Sequence, residues 1–164
     1  MRGKWAAGIA PRNFTWIIKG KLAVSERPGG YARNHRRVRR QEEIIWLREQ
    51  GFTRIVSLLV SPHNLHAYDE LGMTWAHEPL GLQSDARTVL PRLYQDIQGW
   101  LDAGEQILIH EEEMGDRLMG VMGGYLLWAD LLESGPQAIA VLERLVRRQM
   151  GPLGRELVAL APAF

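Results

Sequence analysis

The sequence predicts an α/β domain with a central, mainly parallel sheet flanked by helices, and three observations carry that reading. Short apolar runs alternate with amphipathic helical segments along the chain. Two of the runs, residues 54–60 and 106–110, are almost continuously apolar, as in strands buried on both faces of a parallel sheet. The length of 164 residues suits one domain, and no repeat, low-complexity tract or long linker divides it.

The elements follow in order. Residues 1–12 hold two Gly, one Pro and three basic residues without periodicity, and read as a flexible N-terminal arm before a single domain over 13–164. Residues 13–18 are β-rich, and the Lys19-Gly20 turn leads to a second short strand over 21–24. After a Pro-Gly-Gly loop, residues 39–50 repeat apolar positions at helical spacing, with Gly51 as the stop. The run 54–60 is a strand, 63–71 a short helix and 73–77 a short strand. Asp85 and Thr88 are both suitable N-caps for a helix reaching about residue 103, with Pro91 placed in its first turn. The strand at 106–110 precedes a turn and an apolar helix over 117–133. Pro136 opens the next helix, Gly151-Pro152 stops it, and 153–160 is the last.

Composition narrows the function. Lys and Arg number 20 against 19 Asp and Glu, so a net charge of +1 provides no global field for nucleic acid or membrane. Cysteine is absent, which removes disulfides, thiolate metal sites and any cysteine nucleophile. No apolar stretch approaches membrane-spanning length, and a cytoplasmic location is expected. Residues 33–40 carry five arginines, Arg33, Arg36, Arg37, Arg39 and Arg40. They form either an ordinary solvated face or a docking patch for an acidic partner, RNA or the chain's own acidic loop. Only Tyr31 lies close, so a nucleic-acid stacking platform has little support. His63 and His66 are spaced to share a helical face, but no matching carboxylates accompany them, and surface positions are expected.

Ligands of open α/β sheets bind beyond the carboxyl ends of strands. Here that place is the turn His110-Glu111-Glu112-Glu113-Met114-Gly115-Asp116-Arg117. The segment resembles the signature loop of cysteine-dependent dual-specificity protein phosphatases, H-C-x-x-G-x-x-R, with His110 and Arg117 at the matching positions. Leu22 to Pro28 is similar to the family's Leu-Ala-x-Ser-x-Arg-Pro turn, and residues 51–59 to its Val-Ser-Leu strand. His77-Glu78-Pro79 stands where the general-acid loop begins, and residues 138–148 are similar to the helix ending in paired arginines. The resemblance spans about residues 13–155 and implies a dual-specificity phosphatase-like fold.

The departures decide what the resemblance implies for activity. Glu111 replaces the nucleophilic cysteine, Met114 the loop glycine (Gly115 comes one position late), and Leu118 the Ser or Thr that stabilises the leaving thiolate. The general-acid Asp belongs near Leu82, and the nearest acid is Asp85. Glu111, Glu112, Glu113 and Asp116 outnumber Arg117, so a phosphate should be repelled. Two placements are open for Glu111: turned inward against Arg117 and the helix amides as an internal anion, or outward to water.

The expectation is a catalytically inactive pseudophosphatase acting as a binding or regulatory module with a protein partner and no cofactor. One alternative is a metal-assisted phosphoester hydrolase using Glu111 or Asp85, with Glu111, Glu112 and Asp116 as weak oxygen ligands. The other is a purely structural subunit of a larger assembly.

Overall fold

A computed structural model describes residues 8–30, 37–62 and 65–164. Among the described residues, five strands form one sheet: β1 (Thr15–Ile18), β2 (Leu22–Glu26), β3 (Arg54–Ser57), β4 (Thr74–His77) and β5 (Ile107–Glu111). Their order is β1-β2-β5-β3-β4, with only the β1–β2 pair antiparallel. Six α-helices accompany them: α1 (Arg37–Glu49), α2 (Leu65–Glu70), α3 (Ala86–Asp102), α4 (Asp116–Trp128), α5 (Gly135–Val146) and α6 (Pro152–Leu160).

Successive strand side chains point to opposite faces, and both faces here are covered. Leu22, Val24, Val56, Ile107 and Ile109 pack into one core with α3, α4, α5 and α6. Ala23, Ile55 and Leu108 pack into a second core with Ile44 and Leu47 of α1 and Tyr68 of α2. This two-sided burial is why the strands read as continuous apolar runs rather than alternating ones. β5 is the middle strand of the sheet, so the turn after it is held from both sides.

α4 is buried along most of its length, from Leu118 to Leu126. It meets α6 where Gly120 faces Gly154: a Cβ on Gly120 would lie 2.6 Å from the Gly154 Cα. The two backbones approach that closely only because neither residue carries a side chain.

Several expected boundaries move. The strand predicted over 54–60 ends at Ser57, and Val60 is exposed. The helix predicted over 117–133 ends at Trp128, with Asp130 left-handed at φ 60°. Asp85, not Thr88, caps α3, which puts Pro91 beyond the first turn. The proline there deprives the carbonyl four residues back, on exposed Arg87, of its helical donor. Of the predicted N-terminal arm, residues 1–7 lie outside the described residues. Farther on, Pro11 is buried, and the Ile9 amide donates to the Glu42 carbonyl at 3.2 Å. Among the described residues no helix is long and apolar enough to cross a membrane.

Candidate functional site

The candidate site singled out from the sequence is the β5–α4 turn. His110 lies near the end of β5, paired with Ser25 on one side and Ser57 on the other. Its Nε2 lies 3.1 Å from the Tyr68 hydroxyl. Complete burial drives its pKa down to about 3, so the ring is neutral at pH 7. Burial likewise drives the Tyr68 hydroxyl well above its ordinary value. The pair is therefore a neutral brace joining α2 to β5 beneath the turn.

Glu111 turns inward. Its side chain is 11 % exposed and its Oε1 lies 3.9 Å from Arg117 Nη1. That is an ion-pair distance without a hydrogen bond, and Oε1 is buried with no hydrogen-bond partner. Burial pushes the carboxyl pKa up to about 7; Arg117 opposes the rise and Glu112 adds to it. Glu111 thus fills the interior of the turn as a partly protonated carboxyl rather than a fully charged one. The expected contact with helix N-terminal amides is not present among the described hydrogen bonds. Arg117 instead donates through Nη1 to the Leu80 carbonyl at 3.3 Å.

The other acids do not crowd the loop as the sequence suggested. Glu112 meets Arg27, with Nη1 and Oε1 3.4 Å apart. Glu113 is exposed. Asp116 faces away, accepting from the Gly151 and Gly154 amides at 2.5 and 2.8 Å and so capping α6. The picture of four acids against one arginine is thereby corrected, because folding brings in Arg27 from just after β2 and the amides at the start of α6. Glu111, Glu112 and Asp116 therefore do not converge. Among the described residues no cluster of three or more His, Asp or Glu is placed to hold a metal.

The remaining positions of the degenerate motif serve packing. Met114 is buried, and its carbonyl accepts from Arg148 Nη1 at 2.9 Å. Gly115 precedes α4 in an extended conformation, and Leu118 is in the core. Asp85 is exposed and occupied as a cap, accepting from the Arg87 amide at 3.1 Å and the Thr88 hydroxyl at 2.8 Å.

Of the basic stretch, Arg33 and Arg36 lie outside the described residues. Arg37 pairs with Glu70 at 3.5 Å and Arg39 with buried Glu43 at 3.0 Å. Burial lowers the pKa of Arg40, with the charges of Arg37 and Arg27 nearby. Glu112 of the loop meets Arg27, which lies outside the basic stretch and whose Nε and Nη2 donate to the Gly30 carbonyl. In the sequence Arg27 stands out only as part of the Ser-x-Arg-Pro turn. Its role required knowing that β2 lies beside β5, with Glu26 in register with Glu111. Of the histidine pair, His66 is exposed on α2 and His63 lies outside the described residues.

With strand order, crossover helices and the β5–α4 turn in place, the fold is that of solved dual-specificity and tyrosine phosphatase structures. The chain is similar to Tk-PTP in its active form, at TM-score 0.73 and 18% identity over 93% of this chain and 98% of that one. It is also similar to the kinase-associated phosphatase KAP bearing serine for its catalytic cysteine, at TM-score 0.75 and 20% identity over 92% and 93%. A human tyrosine phosphatase-like serine/threonine/tyrosine-interacting protein aligns at TM-score 0.62 and 14% identity over 92% and 93%. No protein-family model matches the sequence, and no curated protein is significantly similar to it.

Proposed function

We propose that this chain is a catalytically inactive phosphatase-fold protein that serves as a binding or regulatory module for a protein partner. The observation that carries the reading is Glu111: a buried carboxyl stands at the nucleophile's place and fills the turn beside Arg117. Attack by this group would form an acyl-phosphate, which calls for a counter-charge on the incoming phosphate. Arg117 is partly engaged with the Leu80 carbonyl, which leaves it less free to supply that counter-charge. A dianionic phosphate entering the turn would face this carboxyl at close range. The metal-assisted alternative has less support, since Asp116 and Asp85 are both committed to helix caps.

The test is hydrolysis of p-nitrophenyl phosphate with and without Mg²⁺, Mn²⁺ or Ca²⁺. No turnover above background is expected. Turnover that Glu111→Gln abolishes would overturn the reading. Glu111→Cys should remain nearly inactive on an alkyl phosphate, because buried Met114 and Leu118 and the missing general acid persist. A general acid alone is worth ~10²–10⁴-fold. Family-like rates from that single change would place the defect in the nucleophile only.

A further inference from the structure

One nitrogen beside the turn stands between two acceptors. Arg117 Nη1 lies 3.3 Å from the Leu80 carbonyl oxygen and 3.9 Å from Glu111 Oε1. The first contact is a long hydrogen bond and the second an ion-pair distance without one. Glu111 Oε1 is buried and has no hydrogen-bond partner among the described residues. Leaving a buried carboxyl oxygen in that state is costly once it carries charge. A charge-assisted hydrogen bond from Arg117 would satisfy it at roughly 2.7–2.9 Å, and is roughly twice as strong as one to a neutral carbonyl. Closing the gap draws Nη1 about 1 Å toward Oε1, and the contact with Leu80 has little length to spare.

The charges around the carboxyl leave Arg117 as its counter-ion. Burial raises the Glu111 pKa, Arg117 lowers it and Glu112 raises it. On the β2 side, Glu26 is in register with Glu111 and accepts from Asn13, while Arg27 is turned to Glu112. Arg148, just after α5, donates to the Met114 carbonyl, and Asp116 is held by the α6 amides. His110 points to the other face of β5 and is neutral at pH 7.

The other acceptor, Leu80, opens the segment between β4 and α3. Among the described residues, the hydrogen bonds of residues 81–84 stay within their own turn: the Gly81 amide donates to Ser84 Oγ at 2.9 Å and the Ser84 amide to the Gly81 carbonyl at 3.1 Å. This turn carries Leu82, which is 87% exposed. The Leu80 carbonyl is thus where Arg117 ties the turn to α4.

We propose that Glu111, Arg117 and the Leu80 carbonyl form a proton-controlled switch that sets how the 80–84 segment is held. With Glu111 protonated, Arg117 holds the Leu80 carbonyl. Loss of the proton to solvent turns Arg117 onto the carboxylate and releases the segment from α4. The proton favours one of the two arrangements, which is the requirement for it to shift their populations. The switch goes beyond the binding-module reading and does not depend on it: the exposed apolar turn responds to pH whether or not the chain turns over a phosphate ester.

The experiment titrates ¹³C,¹⁵N-labelled protein from about pH 5.5 to 8.5, reading the Glu111 carboxyl carbon, the Leu80 carbonyl carbon, the Gly81 amide and the Arg117 guanidinium. All four should move together with a midpoint of about 7. Hydrogen exchange of residues 81–84, corrected for its intrinsic rise with pH, should increase about two- to tenfold across the midpoint, the worth of one hydrogen bond. Glu111→Gln should keep Leu80, Gly81 and the exchange rates at their low-pH values throughout. Two other titratable groups lie close along the chain: His77 ends β4, and burial together with Asp96 raises the pKa of Glu78 to about 7. Glu78→Gln should leave the response of Leu80 and Gly81 in place. A Glu111 carboxyl that titrates while Leu80 and Gly81 stay still would overturn the proposal, and that result is read on the unmodified protein. A response that survives Glu111→Gln, or that disappears in Glu78→Gln, would overturn it as well and assign the titration to the segment's own groups.

Discussion

Replacing Glu111 by glutamine tests the physical state of the turn directly. The carboxyl has an ordinary value of 4.5 and is pushed up to about 7 in the fold, mainly by burial. The folded protein therefore holds this proton more tightly than the unfolded chain. Below about pH 4.5 both states are protonated and the group adds no penalty. Between about pH 4.5 and 7 the unfolded state ionises first, and stability falls as pH rises. At about 1.4 kcal/mol per pKa unit, the full penalty above pH 7 is about 3 kcal/mol. Glutamine is nearly isosteric with glutamate and cannot ionise, so the Glu111→Gln change removes the penalty. It also leaves Arg117 without its acidic neighbour, which makes that figure an upper bound. The variant should be more stable by roughly 1–3 kcal/mol at about pH 8, and by less than about 1 kcal/mol near pH 5. Urea unfolding of both proteins across this range measures the difference. Neutral buried His110 adds an opposite slope, losing stability as pH falls below about 6.5, but it is common to both proteins and cancels. A difference that does not change with pH, or a Glu111→Gln protein that is the less stable of the two at pH 8, would refute the reasoning. Either result would mean that attraction to Arg117, and not burial, governs the carboxyl.

The α4–α6 contact yields a second expectation. A Cβ on Gly154 would lie 2.5 Å from Met150 Cγ and 2.7 Å from the Asp116 carbonyl oxygen, so Gly154→Ala should destabilise by roughly 1–3 kcal/mol, read as a lower Tm. Asp116→Ala removes a carboxylate that satisfies two amides at the start of α6, and chemical denaturation should show a loss of roughly 1–2 kcal/mol.

The sheet and the order of its helices were legible in the order of residues. The apolar runs at β3 and β5 required burial on two faces, and the segment from His110 to Arg117 read as a turn between a strand and a helix, as it is. These are local signals, set by side-chain period and turn chemistry over a few residues. That Glu111 follows His110, and that the sequence contains no cysteine, is read directly from the residues.

What each charged group in the turn does depends on contacts made across the fold. Arg117 reaches Leu80, Arg148 reaches Met114, and Asp116 reaches Gly151 and Gly154, all across 34 to 38 residues of chain. Arg27 meets Glu112 because β2 and β5 are neighbours in the sheet. Counting charges along the sequence made the loop strongly acidic, whereas folding turned one acid onto a helix end, paired another and buried a third. The reason is the short range of these forces: a charge separated from its neighbours by protein packing responds to whatever lies within a few ångströms. That neighbourhood is assembled from distant segments, so no reading of the loop alone could supply it.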